Sequence, residues 1–302
     1  MIAVARTRAA LLAMLAIACF VTAHHARGQE STIPAAKTPP AACQRADFRV
    51  VLDVGHTVKV PGAISARGVP EYNFNRHLAE DAEAALLKAG FAKTVLLITS
   101  TPPTLGLFER ARRANAMRAN LFIAIHHDSV PDYLLQTWQY QGQQEHYNDS
   151  FPGYAIFISE ENGDRAGSLL FGRLLGKQLQ ARGLSFTPHY TLPIMRHRRR
   201  QLLDAEAGVY RYDQLIVLQQ THMPAVLLEA GSIVNRKEEP VLASPQRLAL
   251  ESAAIAAAVA DFCAAHAATV GAARGRLHSG KRHAVPPASA PAHRIGGIGS
   301  VR

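Results

Sequence analysis

Cysteine is scarce in this sequence, since only Cys19, Cys43 and Cys263 occur among 302 residues. No two of them have the close spacing of a CxxC motif, so a metal in this chain must be held by histidine and carboxylate ligands. If the protein is exported, Cys43 and Cys263 flank the folded region and can join its two ends in a disulfide. Two unpaired thiols are the alternative.

The N-terminus lacks an apolar run long enough for a comfortable membrane span. It has Arg6 and Arg8, then an uncharged segment from Ala9 to Ala23, then small residues suited to cleavage. This pattern predicts a secretory signal peptide over residues 1–28 and export to the periplasm or cell envelope. A retained anchor, a lipoprotein anchored through Cys19 and release outside the cell are the alternatives.

Acidic residues are absent from His266 to the C-terminus, whereas the whole chain has 33 Lys and Arg, 23 Asp and Glu, and a formal net charge of +10. A segment of this composition buries too little apolar surface to offset its ordering entropy, which predicts a disordered basic tail over residues 266–302. Its charge favours anionic envelope surfaces, and a merely solubilising tail is the alternative. The export signal argues against nucleic acid as a partner.

Short apolar runs alternate with amphipathic segments over residues 47–265, after a linker at residues 29–46 that is rich in Pro and Ala. The alternation predicts a single α/β domain with a mostly parallel twisted sheet and helices on both faces. Residues 130–152 and 189–212 lose the pattern and are predicted to be irregular. The predicted strands are 48–54, 94–99, 120–125, 153–158, 215–218 and 225–228.

Four titratable residues lie at the ends of predicted core elements. His56, His126 and Glu229 each follow a strand, and Glu71 opens a helix. Because the carboxyl ends of parallel strands meet at one edge of a sheet, we expect these side chains to converge. Two imidazoles and one carboxylate commonly hold catalytic zinc, and a further carboxylate can carry protons to and from the reacting groups.

Other residues compete for these roles. His127 competes with His126, although neighbours in an extended strand point to opposite faces and only one can face the metal. Glu80 or Asp53 can replace Glu71. Each residue taken alone also fits a purely structural role.

Five segments carry a resemblance to a known family, and together they span most of residues 48–262. They are Leu52-Asp53-Val54-Gly55-His56, Glu71-Tyr72-Asn73-Phe74-Asn75, Leu107-Phe108-Glu109-Arg110 with Ala114-Asn115, Asn120 to His126, and Met223 to Gly231 with Asn235. In these segments the chain resembles the zinc-dependent N-acetylmuramoyl-L-alanine amidases of the bacterial cell-separation and sporulation type.

The resemblance implies Zn²⁺ as the cofactor, with His56, Glu71 and His126 as its ligands and Glu229 as the catalytic glutamate. It favours His126 over His127. The implied substrate is peptidoglycan, cut at the amide between the lactyl group of N-acetylmuramic acid and L-alanine of the stem peptide. The chain departs from the family pattern at Asp128, where asparagine is common.

The two irregular segments hold further candidates for substrate binding. Trp138 suits stacking on sugar rings, and Arg196 and Arg198 suit the carboxylates of the stem peptide. Plain solvated loops are the alternative for both segments. We expect a monomer. The sequence does not decide whether a protein activator is needed to open the site. The rival functions are another exported zinc amidohydrolase on the same fold and a non-catalytic module that binds the cell wall.

Overall fold

The computed structural model describes residues 43–100 and 103–280, and a sheet of seven strands lies at its centre. A separate two-stranded hairpin consists of β4 and β5. The strands are β1 (Val50–Val54), β2 (Val95–Leu97), β3 (Leu121–Asp128), β4 (Gln136–Tyr140), β5 (Gln143–Tyr147), β6 (Ala155–Ile158), β7 (Leu202–Asp204), β8 (Val209–Arg211) and β9 (Ala225–Ser232).

Helices and short 3-10 turns connect these strands. The helices are α1 (Glu71–Lys88), α2 (Pro103–Ala116), α3 (Arg165–Gln180), α4 (Ile216–Gln219), α5 (Glu239–Leu242) and α6 (Pro245–Gly280). The 3-10 turns are Asp132–Leu134, His189–Thr191 and Pro193–Arg198.

The sheet is mixed but mostly parallel, with the strand order β2-β1-β3-β9-β6-β8-β7. Neighbouring strands are parallel from β2 through β1 and β3 to β9, and again between β6 and β8. Only the β6/β9 and β7/β8 pairs are antiparallel. The structure therefore confirms the predicted α/β fold with a mostly parallel sheet.

Alternation along the strands divides the core into two apolar layers. On one face, Leu52, Ile123 and Leu228 pack with residues of α1, α3 and α6. On the other face, Phe122 and Leu227 pack with residues of α2 and α4. Helices thus cover both faces, as predicted.

A disulfide joins Cys43 to Cys263 of α6, with a Cα–Cα distance of 5.4 Å. The sequence left open whether these two cysteines form a disulfide or stay unpaired, and in the structure they form a disulfide. Phe48 lies close by, with its ring centroid 6.0 Å from that of Phe91 and 6.3 Å from that of Phe262. The bond therefore attaches the start of the described chain to the closing helix beside an aromatic cluster.

The predicted strand at residues 215–218 is wrong, because this run forms α4. Val217 and Leu218 are buried against the sheet in a single helical turn. An apolar run of four residues has no periodicity that separates a buried strand from a buried helical turn.

The two segments predicted to be irregular contain regular elements. Residues 130–152 include the β4/β5 hairpin, whose turn residues Gln141 and Gly142 have φ angles of 49° and 79°. Such a turn suits a two-residue hairpin, but Gln in place of Asn or Asp weakens its sequence signal. Residues 189–212 include β7, β8 and two of the 3-10 turns.

The closing helix is longer than predicted, since α6 continues to Gly280 and includes residues 266–280 of the predicted basic tail. Ala264, Ala265, Ala267 and Ala268 follow Cys263, and alanine has the highest helix propensity, which favours continuation of the helix. Within α6, Pro245–Ala267 is long and apolar enough to cross a membrane, but Ile255, Val259 and Phe262 of this stretch pack in the core. The predicted signal peptide, most of the linker and residues 281–302 of the tail lie outside the described residues.

Replacing both Cys43 and Cys263 by Ser should lower the free energy of unfolding by about 2 to 5 kcal/mol, because the bond restricts the unfolded chain. Urea denaturation of the oxidised protein and of the double variant measures the difference. Reductant should destabilise the wild-type protein and leave the double variant unchanged. Equal urea midpoints for oxidised protein and double variant would contradict a stabilising role.

Candidate active site

Two candidate residues are direct neighbours across parallel strands. His126 of β3 is the register partner of Glu229 of β9. Residues that are partners in a sheet point to the same face, and both share the strand alternation of Phe122 and Leu227. The two side chains therefore lie side by side on the face of the sheet that α2 and α4 cover.

His56 follows β1 with a left-handed backbone, φ 66°, which is uncommon for a residue other than glycine. Arg110 of α2 holds this turn by donating hydrogen bonds to the backbone carbonyls of Val54 and His56, both at 2.5 Å. The same guanidinium forms an ion pair with Asp53 at 2.6 Å, and both side chains are almost fully buried. Arg110 is thus a positioning residue for His56.

Glu71 links the two histidines from the first turn of α1. Its Oε2 lies 2.9 Å from His56 Nε2, and its Oε1 lies 3.0 Å from His126 Nδ1. Asn75 donates to the same carboxylate at 3.0 Å. One ligand atom from each of His56, Glu71 and His126 lies within 4.8 Å of the others.

The burial and the charges of these side chains suit the binding of a cation. Burial lowers the pKa of His126, so its imidazole is neutral at neutral pH and offers a lone pair. Burial alone would raise the pKa of Glu71, but hydrogen bonds and charge from His126 and His56 hold that pKa well below its ordinary value. A carboxylate and two imidazoles are a suitable donor set for zinc.

Two glycines leave the space that these side chains occupy. A Cβ atom at Gly55 would lie 2.4 Å from the His126 ring, and one at Gly62 would lie 2.4 Å from Glu71 Oε2 and 2.6 Å from the His56 ring. All three distances are too short for a real contact. The cluster therefore depends on the absence of side chains at positions 55 and 62, and its residues fit a bound metal.

Glu229 is partly buried, and its Oε2 has no hydrogen-bond partner among the described residues. Burial raises the pKa of Glu229 well above its ordinary value, and the negative charges of Asp128 and Glu71 raise it further. A raised pKa makes a carboxylate a stronger base, which suits it to take up a proton and return it.

A second buried polar group that the sequence did not indicate lies beside Glu229. Tyr190 donates to Asp128 Oδ1 at 2.7 Å, and His189 Nε2 lies 3.6 Å from Asp128 Oδ2. Burial raises the pKa of Asp128 to about 7. The unusual Asp at position 128 was the only sequence signal for this group.

The competing residues have other partners. His127 Nδ1 lies 2.9 Å from Asn75 Oδ1 behind the site, and burial lowers the His127 pKa to about 3. Asp53 pairs with Arg110, and Glu80 pairs with Arg76 on α1 at 2.7 Å. The structure does not bring them into the ligand cluster.

The predicted substrate-binding residues lie on two separate segments. Trp138 is on the hairpin, where its indole N–H donates to the carbonyl of Ala66 at 2.8 Å and its ring stacks on Tyr140. Arg196 is exposed, has φ 51°, and lies over the Tyr133 ring at 4.2 Å. Arg198 is exposed, and its positive charge acts on Asp128 and lowers the Asp128 pKa against the effect of burial.

Known proteins resemble this chain in sequence. Residues 50–261 match the family described as N-acetylmuramoyl-L-alanine amidase. A similar curated protein is the N-acetylmuramoyl-L-alanine amidase Rv3717 of Mycobacterium tuberculosis, which is 27% identical over 206 residues, covering 67% of this chain and 73% of that protein.

Two solved structures show similar folds. One is an N-acetylmuramyl-L-alanine amidase from Mycobacterium smegmatis, with a TM-score of 0.57 and 20% identity over 74% of this chain and 100% of that one. The other is the catalytic domain of the amidase CwlV from Bacillus (Paenibacillus) polymyxa var. colistinus, with a TM-score of 0.52 and 25% identity over 71% of this chain and 97% of that one.

Replacing Arg110 by Lys should weaken metal binding about 10- to 100-fold, because Lys lacks the forked guanidinium that holds the His56 turn. Competition with a chromophoric chelator measures the zinc affinity. Arg112 lies on the exposed side of the same helix, so Arg112→Lys should keep the wild-type affinity. Unchanged zinc affinity in Arg110→Lys would refute the positioning role.

The contribution of Asp128 to the stability of the metal-free protein should fall as pH rises from about 4 to about 7. Asp128 has a folded pKa of about 7 against an ordinary value of 3.8, so in this window the folded state keeps a proton that the unfolded state has released. One such group contributes at most about 1.4 kcal/mol per pH unit.

Asp128→Asn should remove this contribution, whereas Asp132→Asn, at an exposed position, should not. Urea unfolding with a chelator present, repeated from pH 4 to pH 8, measures the slope. An identical slope in wild-type protein and Asp128→Asn would contradict the prediction.

Proposed function

Since this chain belongs to the N-acetylmuramoyl-L-alanine amidase family, we propose that it hydrolyses the amide between N-acetylmuramic acid and L-alanine of peptidoglycan with zinc as its cofactor. The observation that carries the proposal is the convergence of His56, Glu71 and His126, with Glu229 beside His126 across the sheet. A binding module has no physical need for this set of buried titratable groups.

His56, Glu71 and His126 are the proposed zinc ligands. A bound zinc ion would supply Lewis acidity, which lowers the pKa of water and polarises a carbonyl. The neutral imidazole of His126 supports a ligand role, and so does the ionised carboxylate of Glu71 between the two rings. Arg110 and Asn75 orient this set from behind.

Glu229 is the proposed general base and acid. As a base it takes a proton from the attacking water, and as an acid it gives that proton to the departing L-alanine amine. Its place beside His126 and the free Oε2 atom support this role. The neighbouring Asp128 carboxyl raises the affinity of Glu229 for the proton.

Stem-peptide carboxylates are the proposed ligands of Arg196 and Arg198. Both are exposed, and the charge of Arg198 acts on Asp128 beside Glu229, which supports a position near the reacting bond. Stacking of Trp138 on a sugar ring stays a prediction, and its present partners are Ala66 and Tyr140. Export to the periplasm or cell envelope, a monomeric state and a protein activator stay predictions too.

Mass spectrometry of what the zinc-loaded protein releases from purified peptidoglycan tests the activity. The expected products are stem peptides with an L-alanine amino terminus and glycan without peptide. Glu229→Gln should reduce turnover at least about 100-fold with zinc content unchanged, because it removes the proton carrier. His126→Ala should lose both zinc and turnover.

Glu80→Gln is the matched control, because Glu80 pairs with Arg76 away from the cluster. Near-normal turnover by Glu229→Gln would refute the assigned role. Release of no peptide by the wild-type protein would refute the activity and favour another exported amidohydrolase or a binding module.

A further inference from the structure

Glu229 is the last residue of β9 that is in regular register with both neighbouring strands. Its partner on one side is His126 of the parallel strand β3, and its partner on the other side is Ala155 of the antiparallel strand β6. Within the described residues, no later residue of β9 pairs with β6, and the pairing with β3 changes register directly after His126. The ladders that fix the backbone of Glu229 from both sides therefore end at this residue.

A β-bulge follows Glu229 at once. The register advances by two residues on β3, from His126 to Asp128, and by three residues on β9, from Glu229 to Ser232. A bulge disrupts the ladder locally and bends the strand, which changes the direction of the neighbouring side chains. The direction of the Glu229 side chain thus depends on the groups that hold residues 230–232.

The carboxylate of Glu238 replaces the ladder beyond the bulge. Its Oε2 accepts hydrogen bonds from the backbone N–H of Ser232 and from that of Gly153, both at 3.0 Å. Gly153 lies two residues before Ala155, the β6 partner of Glu229. Glu238 therefore joins β9 to the segment that leads into β6, at the point where the direct pairing of the two strands stops.

Arg247 of α6 holds the bulge from the other face of the sheet. Its guanidinium donates a hydrogen bond to the carbonyl of Ala230 at 3.1 Å. The side chain of Ala230 packs in the apolar layer of α1, α3 and α6, whereas Glu229 lies on the face of α2 and α4. Arg247 thus fixes the backbone next to Glu229 without occupying the face on which Glu229 lies.

Two carboxylates fix Arg247 in turn. Its Nε lies 2.7 Å from Oε1 of the fully buried Glu251, and its Nη2 lies 3.7 Å from Oε1 of Glu238. Only 11% of the Arg247 side chain and 11% of the Glu238 side chain are exposed. Because hydrogen bonds between charged groups are strong and directional, these side chains restrict one another's motion.

Stability alone does not require charged side chains at this place. Burial of an ion pair costs desolvation free energy, and well-packed apolar side chains of similar volume often stabilise a protein as much. The additional property of these contacts is direction, since they fix the Ala230 carbonyl and the Ser232 N–H at specified positions. The network therefore sets the path of residues 230–232 and, through them, the orientation of Glu229.

We propose that Glu238 and Arg247 are positioning residues for Glu229: they hold the bulge that follows it and so keep its carboxyl group aligned beside His126. This inference rests on the proposed amidase function. The role differs from that of Arg110, which acts on the ligand His56 and hence on zinc affinity.

Amide hydrogen exchange measured by NMR tests the hold without any substrate. Glu238→Leu removes both acceptor oxygens, so exchange at Gly153 and Ser232, relative to that at Ile156, should become about 3- to 10-fold faster, the effect of one hydrogen bond. Glu238→Gln keeps one acceptor oxygen and should stay closer to the wild-type rates. Unchanged relative exchange at both amides in Glu238→Leu would overturn the proposal.

Arg247→Lys tests the consequence for the reaction, because Lys keeps the charge but lacks the forked guanidinium that reaches both Glu251 and the Ala230 carbonyl. It should lower kcat on a soluble muramoyl peptide about 10-fold, since a small misplacement of a reacting group is costly. KM and zinc affinity should stay within about 2-fold of the wild-type values, because neither the ligands nor the substrate contacts change.

Arg182→Lys is the matched control. Arg182 also bonds to α6, at the carbonyl of Ala253 at 3.5 Å, and its other partner is Gln178. This variant should keep the wild-type kcat.

The same change in a Glu229→Gln background separates positioning from general damage. If Arg247 acts through Glu229, Arg247→Lys should lower the residual turnover of Glu229→Gln less than about 2-fold. Equal losses in both backgrounds, a loss of zinc affinity, or a wild-type kcat in Arg247→Lys would each overturn the proposal. If the wild-type protein cleaves no muramoyl peptide, the amidase function fails and the positioning role fails with it, whereas wild-type cleavage with unaltered kcat in Arg247→Lys refutes this inference alone.

Discussion

The parallel pairing of β3 with β9 is the interaction on which the site depends. It sets His126 directly beside Glu229, with the aliphatic runs of both strands buried on either face. A shift of one residue in this register would turn one of the two side chains to the opposite face. The buried apolar strands therefore fix the spacing between the proposed metal ligand and the proposed proton carrier.

The ligands at the strand ends need support from helices. Arg110 of α2 holds the His56 turn, and Asn75 of α1 bonds both Glu71 and His127. This support has an energetic consequence, since Glu71, Asp128 and Glu229 are three carboxyl groups in one buried region. Their mutual repulsion and burial favour a bound cation or bound protons over three free negative charges.

The sequence predicted the elements that have clear patterns of apolar residues. The strands around residues 50–54, 121–126 and 225–229 and the helix from Glu71 are in this class, and so is the convergence of their end residues. The four-residue α4 was misread because its apolar run fits either a strand or a helical turn. The polar hairpin had no apolar alternation, and the contacts of Glu238 and Arg247 with β9 exist only once distant elements pack.

The disulfide closes the chain into a covalent loop, because Cys43 and Cys263 are separated by 220 residues. The exposed β4/β5 hairpin and the Arg-rich turns all lie within that loop. A protease that cuts once at any of these points leaves both pieces attached. A nicked molecule would therefore keep the strands and the ligand residues of both pieces in one covalently joined unit.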